Sequence, residues 1–135
     1  MTQLQRFQNA LRANDIDAAI ISSETYQRYL SDFDYSDGYV LVSPDKAFLL
    51  ADFRYIEAAR ATVKEFQIIR PEEKMTEALA TLVSENGFKR IAIEEDTLSC
   101  SGLETLRAAL PKECALIHGA SKILTAQRAV KLPYE

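Results

Sequence analysis

Residues 39–50, Tyr39-Val40-Leu41-Val42-Ser43-Pro44-Asp45-Lys46-Ala47-Phe48-Leu49-Leu50, decide the fold class. Two apolar runs flank a Ser-Pro-Asp-Lys turn. Pro44 pre-sets φ for the first central position of a type I turn, so the runs read as a hairpin with antiparallel strands. Upstream, Leu4, Phe7 and Leu11 share one face of a helix over 2–14 that Thr2 can cap, and Asn14-Asp15 marks a turn. Residues 16–21, IDAAII, read as a short buried strand. Ser22 or Ser23 can cap a short helix carrying Tyr26 and Leu30. Residues 31–38, SDFDYSDG, are a polar, turn-rich loop.

Downstream of the hairpin, strands and helices alternate. Asp52 is placed as the N-cap of a helix over 53–65 that turns Ile56, Ala59 and Val63 inward. Residues 66–69 form a strand that Pro71 ends. Residues 75–85 form a helix with Leu79, Leu82 and Val83 inward, stopped at Asn86-Gly87 in the left-handed manner. Residues 90–94 are a strand, 99–110 a helix stopped by Pro111, and 114–117 the last strand. A final helix covers about 120–127. Helical periodicity fades over 126–135 and breaks at Pro133. An antiparallel hairpin set within strand–helix alternation predicts a three-layer α/β domain. Its sheet is mixed but mostly parallel, of about six strands, with helices on both faces.

Composition narrows the function classes. The chain has 135 residues, 47% apolar and 27% charged, which suits one folded domain and excludes disorder. A net charge of −4 argues against a nucleic-acid partner, which needs a basic face. No apolar run approaches the roughly 18 residues of a membrane span, and the N-terminus lacks the apolar core of a signal peptide. Neither membrane insertion nor secretion is expected, and a cytoplasmic location with Cys100 and Cys114 unpaired is the default. A single histidine, His118, excludes His-His metal sites within the chain.

No catalytic constellation emerges from the residues. The acidic loop beginning at Asp32 invites a calcium reading. An EF-hand loop needs Gly sixth and Glu twelfth, and those positions hold Asp37 and Ser43. The alternative is a solvated turn whose Asp side chains bond local backbone. His118 could face a ligand crevice at a strand's carboxyl end, or be merely exposed or structural. Asp52-Phe53-Arg54-Tyr55 reads as a capped helix start, with anion binding disfavoured because Asp52 would occupy the free N–H groups. Glu94-Glu95-Asp96 reads as a solvated turn and helix cap rather than an acid–base pair. No phosphate-cradling glycine loop is present. The residues alone therefore leave open a non-enzymatic binding or scaffold module. A receiver-like or flavodoxin-like domain is disfavoured, because the first strand ends in Ile21-Ser22-Ser23 rather than an acidic pair.

The order of segments resembles the N-terminal domain of the creatinase/prolidase family. The resemblance is carried by Tyr29-Leu30, the loop ending Asp37-Gly38, the hairpin, and Ala51-Asp52-Phe53-Arg54-Tyr55-Ile56-Glu57-Ala58-Ala59. At the other end it rests on Ser121-Lys122-Ile123-Leu124, then Gln127-Arg128-Ala129-Val130-Lys131, and Glu135, similar to the family's junction with its catalytic domain. Asp32 stands where the family usually has Gly, and Leu132-Pro133 where a polar pair is usual. Residues 1–127 are then the domain, and 128–135 the start of a linker to a catalytic domain beyond the chain.

The resemblance implies an Xaa-Pro dipeptidase or aminopeptidase as the parent protein. Two divalent metals, manganese or cobalt, would lie in the downstream domain, with no catalytic residue and no metal ligand here. This domain would support a homodimer and wall the entrance for short Xaa-Pro peptides. The loop with Phe33, Asp34, Tyr35 and Asp37 would be the entrance or dimer loop, Tyr35 its foremost contact. The alternative is a loop packed only against its own domain. Asp52, Arg54 and Tyr55 would be a structural motif.

Overall fold

A computed structural model describes residues 1–130 of the chain. The elements run α1 (Gln3–Ala13), β1 (Ala18–Ile21), α2 (Glu24–Ser31), β2 (Tyr39–Val42), β3 (Ala47–Leu50), α3 (Ile56–Thr62), β4 (Gln67–Ile69), α4 (Met75–Asn86), β5 (Arg90–Ile93), α5 (Cys100–Ala109), β6 (Ala115–His118) and α6 (Ala120–Ala129). The six strands form one sheet in the order β4-β3-β2-β1-β5-β6. β2 pairs antiparallel with β1 and β3, and the remaining pairs are parallel. β2 is thus the one reversed strand among those described, as the hairpin at Ser43–Lys46 requires.

Period-two alternation divides the core into two layers. Ala19, Ile21, Val40, Val42, Leu49 and Ala92 face α1, α2, α3 and α6. Ala18, Ile20, Leu41, Phe48, Leu50, Ile91 and Ile93 face α4 and α5 through Leu79, Leu82, Val83, Leu106 and Leu110. Every residue of β1 and β3 is buried, because a sheet covered on both faces leaves no solvated side. Each fully buried Leu or Ile contributes about 1.5–3 kcal/mol relative to exposure.

Local signals fix most helix ends. Thr2 and Gln5 form a reciprocal capping box on α1. Ser23 caps α2 by accepting from Tyr26 N, and Ser99 caps α5 by accepting from Gly102 N. Gly87 ends α4 at φ 68°.

Several boundaries differ from the sequence reading: β1 starts at Ala18 rather than 16, and α3 ends at Thr62 rather than 65. α3 begins at Ile56, not at 53, and its N-cap position, Tyr55, offers no side-chain bond. Asp52 Oδ1 instead accepts from Arg54 N at 2.9 Å, closing a turn before the helix. At the other end α6 continues to Ala129. Its periodicity is masked because Gln127 is buried and bonded: Nε2 donates to Gln3 O at 2.9 Å. The predicted break at Pro133 lies outside the described residues.

Candidate functional site

The parallel strands end along one edge of the sheet, and the sequence's polar motifs gather there. At the centre, the carboxyl ends of β1 and β5 lie side by side, and the helices that follow them, α2 and α5, pack on opposite faces. Such a switch point is the usual ligand crevice of an open α/β sheet. Here the protein's own carboxylates fill it. Glu94 is fully buried. Its Oε1 accepts from Ser22 N at 2.6 Å and Ser23 N at 2.8 Å, and its Oε2 from Ser23 Oγ at 2.6 Å. It thereby holds the N-terminus of α2, where partial positive charge favours an anion.

Glu95 does the same for α6. Its oxygens accept from Gly119 N at 2.9 Å, Ser121 N at 3.1 Å and Lys122 N at 3.2 Å. Burial raises the Glu95 pKa, but the backbone donors of Gly119, Ser121 and Lys122 outweigh it and hold it below its ordinary value. The expectation of a solvated turn at Glu94-Glu95-Asp96 is therefore corrected. Both glutamates cap helices, but distant ones, because adjacent residues past a strand point towards different sides of the sheet.

The Glu95 arrangement makes a testable statement about pH. A carboxyl whose folded pKa is depressed stabilises the fold above its unfolded pKa, about 4.3. That contribution is lost as pH falls through the folded value. The stability gap between wild type and Glu95→Gln should therefore be wide at pH 6 and close towards pH 3. Urea unfolding at the two pH values measures it, and a gap independent of pH would contradict this account.

Next to this centre lies the loop 32–38, between α2 and β2. Asp32 takes the left-handed conformation at φ 57° and caps α2 through its N–H to Arg28 O. The turn expected of Gly is thus made by Asp, one of the few other residues that adopts it. Asp37 is also left-handed, at φ 59°. Its carboxylate does not bond local backbone, as the solvated-turn reading expected. It accepts from Arg54 Nη2 at 2.9 Å. The same nitrogen reaches Asp52 Oδ2 at 2.7 Å, and Arg54 Nε lies 3.1 Å from both Asp52 oxygens. The Arg54 guanidinium holds the Asp52 carboxyl below its usual range, and the two aspartates push the arginine pKa up. Arg54 also lies 5.0 Å from the Tyr55 ring centroid. Asp52 and Arg54 thus latch the turn before α3 to Asp37 of the loop, with the Tyr55 ring beside the guanidinium.

Aromatic rings fill the space beneath the latch. Tyr35 is 4% exposed, so the expectation that it leads the loop's outward contacts is corrected. Its ring packs against Phe33 and Tyr55, and its hydroxyl donates to Tyr39 O at 3.1 Å. Burial raises its phenol pKa well above the ordinary value. A Tyr in an otherwise polar loop is its anchor, since a large ring gains most from burial. Phe33 is half-buried, while Asp34 and Asp37 are exposed. The outward apolar group is Phe53, 72% exposed. Sequence reasoning missed it because a helix running from residue 53 hides a turn that projects its first residue.

His118 is exposed at the end of edge strand β6. Cys100 is exposed and Cys114 half-buried, both free thiols, and Cys114 Sγ donates to Phe88 O at 3.2 Å. Among the described residues, no group of three or more His, Cys, Asp or Glu is placed to hold a metal ion. No described helix is long and apolar enough to cross a membrane.

The switch point is thus filled by Glu94, and a latched loop lies beside it. Residues 3–130 match the creatinase/prolidase N-terminal domain, and the chain belongs to that family. It is 34% identical over 97 residues to a Bacillus subtilis (strain 168) protein described as an uncharacterised peptidase, YqhT, covering 72% of this chain and 28% of that one. It is 31% identical over 125 residues to a Mycoplasma genitalium protein described as a candidate Xaa-Pro aminopeptidase, covering 93% and 33%. The Xaa-Pro dipeptidase from Bacillus anthracis superposes with a TM-score of 0.88 at 26% identity, covering 98% of this chain and 36% of that one. The chain thus spans about a third or less of the length of these curated relatives.

Proposed function

We propose that this chain is the N-terminal, non-catalytic part of a larger cytoplasmic Xaa-Pro peptidase, a dipeptidase or an aminopeptidase. The observation that carries the reading is membership of the family over residues 3–130, in a chain about a third as long as a Mycoplasma relative described as such a peptidase. Two divalent metals, manganese or cobalt, would be held by residues of the parent protein's catalytic domain. When bound, such a pair generates hydroxide and polarises the scissile carbonyl.

The domain's own part is to support a homodimer and to wall the entrance to the site, with the loop 32–38 as the wall. Tyr35 anchors that wall from inside. Asp34, the rim of Phe33 and the adjoining Phe53 form its outer surface, and a short Xaa-Pro peptide would fit behind it where a long chain could not.

The 135-residue chain supplied with manganese should release no product from an Xaa-Pro dipeptide. The protein with its downstream sequence restored should hydrolyse it. Turnover by the 135-residue chain, or a restored protein that is folded and metal-loaded yet inert, would overturn the proposal. Gel filtration of the restored protein tests the dimer in the same preparation.

A further inference from the structure

Gln27 lies in the middle of α2 and is 1% exposed, although nothing in its sequence neighbourhood marks it as core. Its Nε2 donates to Ile21 O, at the end of β1, at 3.2 Å, and to Gly38 O, at the end of the loop, at 3.0 Å. Two carbonyl partners fix which way the amide points, because the flipped group would set oxygen against oxygen. The remaining oxygen, Oε1, is buried and accepts from no described protein group.

A buried amide with one unsatisfied atom carries a desolvation cost that offsets much of what its two donated bonds contribute to stability. Its geometry suits another task. The loop 32–38 leaves α2 at Ser31 and re-enters the sheet at Tyr39. Gln27 ties the helix that launches the loop to the glycine that closes it, and both to the end of β1. Ser31 Oγ bonds back to Gln27 O at 2.7 Å and accepts from Phe33 N at 3.3 Å, so the loop's first turn hangs on the same residue.

We propose that Gln27 is the positioning residue of the loop 32–38: by bridging the ends of β1 and of the loop, it sets how far the loop projects, without touching substrate. This rests on the reading that the loop walls a peptide site. The sharper content is that the wall's position is held by an amide inside the domain, separately from the Arg54 latch on its surface.

The test is Gln27→Met, which keeps length and apolar bulk but removes the donor. In the 135-residue chain, amide exchange over 33–38 should quicken about tenfold, while β3, β5 and β6 keep wild-type protection. Unchanged loop exchange, or acceleration spread equally over those strands, would overturn the positioning role whether or not the parent protein is a peptidase. In the protein with its downstream sequence restored, KM for an Xaa-Pro dipeptide should rise severalfold with kcat within about twofold. Gln27→Glu, whose protonated form can donate to one carbonyl, should recover part of the loss as pH falls from 7 to 5. Equal KM values for wild type and Gln27→Met would overturn the role, whereas an inert wild type would overturn the peptidase reading alone.

Discussion

Replacing Glu94 by alanine should lower the unfolding free energy by about 3–5 kcal/mol, a large share of a small domain's total. The reason is what the substitution leaves behind. Ser22 N, Ser23 N and Ser23 Oγ all donate to this one carboxylate. Each donor left without a partner in a poorly hydrated place costs about 1–3 kcal/mol. Alanine also leaves a void between the ends of β1 and β5, where Glu94 is fully buried. Glu94→Gln keeps the shape and one acceptor oxygen but turns an amide NH2 towards donors, so it should cost about 2 kcal/mol. Urea denaturation of the three proteins at pH 7 decides the matter. If both variants lie within about 1 kcal/mol of wild type, the carboxylate is not what closes the crevice. The wild-type arrangement also has a functional meaning. A carboxylate on the α2 N-terminus occupies the donors that a phosphate or carboxylate ligand would use, which disfavours a flavodoxin-like role for this edge.

What could be read from the sequence follows where side-chain type and position agree. The hairpin was legible because Pro44 sits between two apolar runs, and the sheet has its one reversed strand there. The inward faces of α1 and α4 were legible because Leu4, Phe7 and Leu11, and Leu79, Leu82 and Val83, repeat at helical spacing and are buried. Three failures share one physical cause: polar residues that are buried because they are bonded. Gln127 made α6 look finished too early. Glu94 looked like a solvated turn. Gln27 drew no notice at all. Hydropathy scores such residues as surface, since the partners that satisfy them lie up to 124 residues away in sequence. The aspartates err in a related way. Asp52 is a good N-cap by type, but its carboxylate binds both the backbone N–H and the guanidinium of Arg54, so it closes a turn and the helix begins only at Ile56. The loop's exposed and buried members could not be sorted by period, since a loop has none; Tyr35 inside and Phe53 outside became visible only with the fold.

Gly38→Ala should be the most damaging single methyl addition in the chain, at about 2–4 kcal/mol. The demand here is space rather than a special backbone conformation. A Cβ at Gly38 would lie 2.5 Å from Tyr35 Cε2 and would also run into the carbonyl oxygen of Leu50. Neither neighbour can retreat cheaply. Leu50 is paired with Tyr39 in the β2–β3 ladder, so moving its carbonyl opens the start of the hairpin. The Tyr35 ring is pinned by its bond to Tyr39 O and by Phe33 and Tyr55 on either side. Rotating it out would expose most of a ring and free the loop it anchors. Gly87→Ala is the proper control. Gly87 has φ 68° and open space around it, so alanine there meets only the left-handed backbone penalty of about 1 kcal/mol. Denaturant midpoints of the two variants, with unchanged m-values, should place Gly38→Ala well below Gly87→Ala. Equal losses would mean that the close approach of loop, ring and strand at Gly38 does not hold in solution. A larger loss at Gly38 ties the loop's closing residue to the sheet through backbone contact, the rigid footing that a wall for a peptide site requires.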